Sequence, residues 1–295
     1  MNAESVSSLN ISEQELPCQV RAWLRTLLVP RRKLRFATWN IGSLTRRCME
    51  LADVLMRRRI QCAFLQETRW KGDESYDIGQ GYQLVYTGSS TGRNGVAVVL
   101  CEELRKNLLE VDHRCDRLMR VRVQIEGVTT NLICAYAPQA GCSAAEKKSF
   151  WEQFEDLLRA VPTTEGIIVG GDFNGHVGRS AEIYKGVHGG FGYGRRNVEG
   201  QKILRTCSSF DLAIVNTFFA KNTQQLITYK SGSHSTQIDY LLIRRCHIGK
   251  VTNCKVIPGE SLTPQHRLLV MDLTDTSIRY SNRFPSGKPY TCFPM

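Results

Sequence analysis

Three carboxylates, two carboxamides, a tyrosine and a histidine stand where apolar runs of the chain meet a break. Leu-Arg-Phe-Ala-Thr-Trp-Asn ends at Asn40, and Gln-Cys-Ala-Phe-Leu-Gln-Glu ends at Glu67. Asn-Leu-Ile-Cys-Ala-Tyr reaches Tyr136 shortly before Pro138. Gly-Ile-Ile-Val-Gly-Gly-Asp reaches Asp172, with Phe173 and Asn174 next. Asp239 opens a further apolar run, and His266 precedes Arg-Leu-Leu-Val-Met. In layered α/β proteins, functional side chains gather where strands meet loops on one rim. Convergence of Glu67, Asp172 and Asp239 there would crowd like charges, which is costly unless a proton or a cation compensates them. A hard, oxygen-preferring cation such as Mg²⁺ suits such ligands, and no soft ligand set competes for it.

Each residue also has a plainer reading. Gly-Asp-Phe-Asn-Gly is strong turn chemistry, so Asp172 and Asn174 alone could be turn formers. Tyr136 could be a core tyrosine with a satisfied hydroxyl, His266 a structural histidine, and Asn40 the cap of a following helix. Their joint occurrence at strand ends is what points to chemistry.

Positioning them falls to strands and helices that alternate from Leu34 onward. Runs rich in Val, Ile, Leu and aromatics, bounded by Gly, Asn, Asp or Pro, predict strands at 34–40, 61–67, 83–87, 95–100, 119–125 and 129–136. The same signals recur at 166–172, 212–216, 226–230, 237–243, 251–257 and 267–273. So many strands exceed one ordinary sheet and imply two packed together. A helix is expected over 44–58, with Leu44, Leu51, Leu55 and Met56 on one face and Arg57 to Arg59 at the negative pole of its dipole. A second is expected over 144–160, where Phe150, Phe154, Leu157 and Leu158 follow a Ser143/Glu146 capping-box pattern. A third, over 199–210, carries Ile203, Leu204, Cys207 and Phe210. Gly186 to Gly200 forms a glycine-rich, basic loop longer than a simple connection.

No internal repeat or second core is apparent, so one domain, 34–274, is expected between two tails. The extension 1–33 carries a short amphipathic stretch from Leu16 to Val29, then Arg31-Arg32-Lys33. That basic cluster reads as a nuclear-import signal, a phosphate-contacting arm or a solvated charge run. Residues 275–295 read as a polar tail.

The 295 residues are 42% hydrophobic and 23% charged, an ordinary globular composition. A net charge of +11 favours a polyanionic partner, because clustered Lys and Arg displace condensed counterions from nucleic acid. No apolar run approaches the roughly 18–20 residues that span a bilayer, so no membrane association is expected. Glu4, Glu13 and Glu15 interrupt the N-terminus, and a secretory leader is not expected. The eleven cysteines are odd in number and form no CxxC pair, and Cys62, Cys101 and Cys134 lie in buried-strand patterns. Such usage suits a reducing compartment without a zinc site.

Trp-Asn-Ile-Gly at 39–42, Leu-Gln-Glu-Thr at 65–68, Tyr-Ala-Pro at 136–138, Gly-Asp-Phe-Asn at 171–174 and Gln-Ile-Asp-Tyr at 237–240 occur in that order. This set resembles the endonuclease/exonuclease/phosphatase superfamily, and more closely the endonuclease domains of RTE-type non-LTR retrotransposons. The resemblance covers residues 34–274. It implies a four-layer α/β sandwich, two packed mixed β-sheets flanked by helices. It also implies a Mg²⁺-dependent endonuclease, with Mn²⁺ as a substitute, that nicks DNA to leave a 3′-hydroxyl and a 5′-phosphate. On the same footing, Glu67 binds the metal and Asn40 supports its site. Asp172 orients or deprotonates the attacking water, Asn174 holds the phosphate and Tyr136 contacts it. Asp239 orients its neighbours, and His266 stabilises the developing negative charge. Thr228 matches a threonine that lies near the DNA in related endonucleases. Arg195, Arg196, Arg244 and Arg245 are candidates for backbone contacts.

One position departs from the pattern. The superfamily usually carries Asp-His where this chain has Gln265-His266. Glutamine can accept a hydrogen bond from imidazole but brings no charge, so His266 is expected to be less readily protonated than in the Asp-His form. The implied partner is DNA and the implied compartment the nucleus; no protein partner is specified. Two alternatives stay open. One is a host-adopted DNA-binding or protein-interaction protein without catalysis. The other is a phosphatase or lipid phosphodiesterase of the same superfamily, against which the basic charge speaks.

Overall fold

The computed structural model of the chain describes residues 33–260 and 262–274; the amphipathic stretch, Arg31, Arg32 and the C-terminal tail lie outside the described residues. The order of elements is β1 (Lys33–Asn40), α1 (Cys48–Arg57), β2 (Cys62–Gln66), β3 (Gly72–Gly79), β4 (Tyr82–Gly88), β5 (Val96–Cys101), α2 (Glu102–Lys106) and β6 (Leu108–Cys115). It continues with β7 (Leu118–Ile125), β8 (Val128–Tyr136), α3 (Ala144–Arg159), β9 (Gly166–Asp172), α4 (Val198–Ser209) and β10 (Leu212–Ile214). The last elements are α5 (Thr223–Leu226), β11 (Tyr229–Ser231), β12 (His234–Thr236), β13 (Asp239–Arg244), β14 (Val251–Ile257) and β15 (Leu268–Thr274).

Two mixed sheets carry the fold. One has the order β14-β15-β1-β2-β5-β4-β3, the other β10-β13-β9-β8-β7-β6, and β11 with β12 forms a separate hairpin. Alternation along each strand decides what faces what. Phe36, Phe64 and Val98 of the first sheet meet Leu132, Ile168 and Leu241 of the second in a buried inner layer. Their sequence neighbours Ala37, Ala63 and Val99 turn outward, where α1 covers them with Leu51, Val54 and Leu55. Ile133, Val169 and Leu242 turn outward from the second sheet onto Phe150, Phe154 and Leu157 of α3 and Ile203 and Leu204 of α4. Helix, sheet, sheet and helix thus stack as four layers. The sheets meet so closely that a Cβ at Gly170 would lie 2.1 Å from a ring carbon of Phe64.

Strand direction brings the polar residues to one edge. β1 and β2 are parallel, with Asn40 beside Gln66, and β8 and β9 are parallel, with Tyr136 beside Asp172. β13 runs antiparallel to β9, so its first residue, Asp239, stands opposite Asp172. β15 runs antiparallel to β1 with Leu269 opposite Thr38, which places the preceding His266 toward the Asn40 end. Four strands end and two begin on the same rim.

The three expected helices form, and Ser143 and Glu146 close the capping box of α3 reciprocally. The region expected as a strand over 226–230 is divided between the end of α5 and the short β11, and that over 212–216 stops at Ile214, where a 3₁₀ turn, Val215–Phe218, begins. β3 and β6 were not expected. Apart from Ile78, every residue of β3 is exposed, so this edge strand lacks the apolar alternation that betrays strands. β6 is held largely by charge, with Glu110 on Arg120 and Arg122 of β7. Among the described residues no helix is long and apolar enough to cross a membrane.

Candidate active site

Asn40 is the hinge of the site. Its Nδ2 donates to Glu67 Oε1 at 2.9 Å and to Asp172 Oδ2 at 3.0 Å, holding two carboxylates from different sheets. Its Oδ1 accepts from the backbone N–H of Gly42 at 3.0 Å. Glu67 follows β2 directly and sits at φ 57°, a left-handed conformation that costs a non-glycine residue about 1–2 kcal/mol. That turn aims its carboxylate at the rim, where the side chain keeps 21% of its exposure. Tyr136 Oη donates to Oε1 at 2.9 Å, and Arg69 Nη2 donates to Oε2 at 3.1 Å. Burial alone would raise the Glu67 pKa, but Asn40, Tyr136 and Arg69 outweigh it and hold the carboxyl below its ordinary value. Burial and the adjacent Glu67 and Asp172 push the Tyr136 hydroxyl far up, so it remains an O–H donor.

Behind this pair lies a buried group of two acids and an imidazole. Asp172 and Asp239 are 2% and 0% exposed, and each offers a ligand atom within 4.8 Å of the other and of His266. Desolvation, and then the charge of Asp239, push the Asp172 pKa up to about 7. The Asn40 amide, the Asn174 backbone N–H at 3.0 Å and the charge of His266 pull against that rise. His266 Nδ1 lies 3.1 Å from Asp239 Oδ2, and its Nε2 lies 3.8 Å from Asp172 Oδ2. Burial would lower the imidazole pKa, but the Asp239 charge and hydrogen bond prevail and raise it to about 9. The ring edge of Tyr229 packs against the imidazole at 4.8 Å between centroids.

This geometry corrects one premise of the sequence reading, that Gln265 is the hydrogen-bond partner of the imidazole. Its side chain is exposed and turns to Ser231 Oγ at 3.4 Å, away from the imidazole. The negative partner of His266 is Asp239, so the histidine is more readily protonated than a free one.

Asn40, Glu67, Tyr136, Asp172, Asn174, Asp239 and His266 all meet at this rim. Asn174, at φ 46°, ties its Nδ2 to the Ala137 carbonyl at 2.9 Å and is half-buried beside Asp172. Thr228 does not reach the surface. It is fully buried, and its Oγ1 accepts the backbone N–H groups of Ile238 at 3.0 Å and Asp239 at 3.1 Å, so it braces the acid from behind rather than facing DNA.

The arginines divide in the same way. Arg196 is committed inward, donating to Val177 O at 3.0 Å, Ser180 O at 2.7 Å and Glu182 at 2.8 Å, whereas Arg195 is exposed. Arg244 is buried and donates to the Pro162 and Glu165 carbonyls. Arg244 ends β13 and Arg245 follows it, at the end opposite to Asp239 and away from the rim, and Arg245 pairs with Asp211. Sequence reasoning missed Arg69, although it stands two residues after Glu67, and Arg117, whose guanidinium lies 4.9 Å over the Tyr136 ring. Only the fold brings Arg117 and Tyr229 to the site.

The donor set fits a hard divalent cation. Glu67, Asp172 and Asp239 bring three carboxylates together with the Asn40 carboxamide, beside the cationic His266, Arg69 and Arg117. Clustered oxygen ligands of this kind are the donors Mg²⁺ and Mn²⁺ favour. Glu67 is the carboxylate that solvent reaches, and Asn40 Oδ1 keeps one lone pair beside it.

A fold of two helix-flanked mixed sheets with an acid-and-imidazole rim defines a class, and the chain belongs to it: residues 37–261 match the Endonuclease/Exonuclease/phosphatase family. Craniofacial development protein 2 of Bos taurus is 30% identical over 237 residues, 79% of this chain and 40% of that protein. The chain therefore spans about two fifths of the length of the curated relatives it first matches. Among solved structures it is similar to the AP endonuclease LMAP from Leishmania major, with a TM-score of 0.63 at 14% identity over 83% of this chain and 88% of that one. The endonuclease domain of TRAS1, a telomere-specific non-LTR retrotransposon, superposes with a TM-score of 0.59 at 14% identity over 82% of this chain and 98% of that one. These two likenesses establish the fold.

Proposed function

We propose that residues 34–274 form a divalent-metal-dependent phosphodiesterase of retrotransposon ancestry that nicks DNA in the nucleus, leaving a 3′-hydroxyl and a 5′-phosphate. The observation that carries this reading is the bridge from Asn40 to both Glu67 and Asp172, with the protonated His266 behind them. Mg²⁺, or Mn²⁺ in its place, would be held by Glu67 and Asn40 and would supply Lewis-acid charge to the phosphate.

The chain's own residues account for the remaining needs of hydrolysis. Asp172, with a pKa near 7, is matched to accept a proton from water at neutral pH and to return it. Asn174 orients the phosphate, and Tyr136 contacts it while its hydroxyl holds Glu67. Nδ1 of His266 is occupied by Asp239, which leaves the Nε2–H to stabilise the charge developing on the transferred group. Asp239 keeps the imidazole oriented and charged, and Thr228 keeps Asp239 in place. Exposed Arg195 is assigned to backbone phosphates, and the net charge of +11 favours DNA over a small phosphate ester.

The chemistry of the nick tests the reading. Nicked plasmid should be extended by a DNA polymerase and resealed by a DNA ligase without prior end repair. Ends that neither enzyme accepts would overturn the assignment.

A further inference from the structure

Phe191 is a large apolar side chain left 47% exposed in a loop that is otherwise tied down. Its own backbone N–H donates to Thr217 O at 2.9 Å, and Gly189 N donates to Thr217 Oγ1 at 2.9 Å. Buried His188 accepts from Gly190 N at its Nδ1 and meets Gly178 O at its Nε2, both at 3.0 Å. On the far side, Gly192 N donates to Arg179 O at 3.3 Å, and Arg179 N to Gly194 O at 3.1 Å. Glycine is required at both shoulders. A Cβ at Gly189 would lie 2.5 Å from Phe218 Cα, and one at Gly192 would lie 2.0 Å from Gly178 O. A segment built this tightly has anchors for every neighbour of Phe191 and leaves the phenyl ring half outside.

The fold brings the backbone of Phe191 close to the catalytic rim. The 3₁₀ turn bearing Thr217 runs beside the start of β13, where Asn216 Nδ2 donates to Asp239 O at 3.0 Å. From Asp172 the succession is therefore Asp239, the Asn216–Thr217 turn, then Phe191. The backbone of Phe191 is thus three contacts from Asp172, on the order of 15 Å if each spans about one strand spacing. Exposed Arg179 and Arg195 lie in the same loop system. An exposed apolar ring in a rigid loop that also carries exposed cations matches the way proteins part a base step while gripping nearby phosphates.

We infer that Phe191 is a DNA-contacting wedge that stacks on or between bases a few nucleotides from the nick and helps to select deformable target steps. This rests on the DNA-nicking reading above, and the test is built so that the two can fail separately. In the full chain carrying Glu67→Gln, which binds without cutting, Phe191→Trp adds a fluorophore at the rim. The added fluorescence is expected to be quenched by a short duplex, and Phe191→Ala in the same background should weaken duplex binding roughly ten-fold. With Glu67 intact, Phe191→Ala should raise KM with a much smaller change in kcat and flatten the base preference beside the cut. Unquenched fluorescence together with parental affinity in Phe191→Ala would overturn the inference, whether or not the chain nicks DNA. Quenching by DNA in a chain that never nicks would sustain the wedge and sink the nicking reading alone.

Discussion

His266 takes its negative partner from Asp239, 27 residues earlier in the chain and 3.1 Å away, while adjacent Gln265 points to solvent. Asp239 in turn stands opposite Asp172 in the β9–β13 register. The charge state of the imidazole is thus built into strand pairing and needs no hydrogen bond from position 265.

One consequence is a pH-dependent stability. A histidine whose pKa rises on folding stabilises the protein fully below its unfolded pKa, and that stability is lost as pH rises through the folded value. For His266 the window runs from about 6.5 to about 9, and the loss is on the order of 3 kcal/mol. Urea unfolding of metal-free protein across this range should show the slope in wild type and not in His266→Gln. Parallel curves for the two proteins would refute the pairing.

Thr228 offers a separable test of how Asp239 is held. Thr228→Val keeps the shape but strands the N–H groups of Ile238 and Asp239, at a cost of about 2–4 kcal/mol. Thr228→Ser retains the acceptor and should recover most of that stability. Equal losses in the two variants, measured by denaturant titration, would mean that the hydroxyl has no bracing role.

Arg195 and Arg196 should behave oppositely despite being neighbours. Arg196→Ala removes donors to Val177, Ser180 and Glu182 and should destabilise the fold by about 1–3 kcal/mol. Arg195→Ala should leave the melting temperature nearly unchanged and reduce the salt dependence of DNA binding by about one counterion. A melting-temperature loss confined to Arg195→Ala would reverse the assignment.

The sheet interface makes a further demand. Gly170→Ala forces a methyl group into the Phe64 ring and should cost about 1–3 kcal/mol by overpacking, read as a lowered Tm. Gly170→Ala paired with Phe64→Leu should recover part of it. No loss in the single variant would mean that the layers are looser than described.

Much of this arrangement was legible in the chain because apolar runs that stop at a polar residue mark both a strand and its end. Asn40, Glu67, Tyr136 and Asp172 close such runs and Asp239 opens one; the number of runs implied two packed sheets, and the family resemblance implied the four layers. β3 escaped because an edge strand exposed on both faces has no burial to pattern it. Arg117, in a turn, and Tyr229, in the short β11, escaped because they are near the site only after the sheets fold. Thr228 and Gln265 misled for a related reason: position in the chain says nothing of which way a side chain faces.

The most direct measurement is relaxation of supercoiled plasmid with Mg²⁺, alongside EDTA, Glu67→Gln and Asp172→Asn. Expected is nicking that requires the cation and falls by about 10²-fold or more in each variant, as removal of a charge-handling group does. Folded protein that leaves the plasmid supercoiled, or nicks it equally well in EDTA or in Glu67→Gln, would contradict the site described.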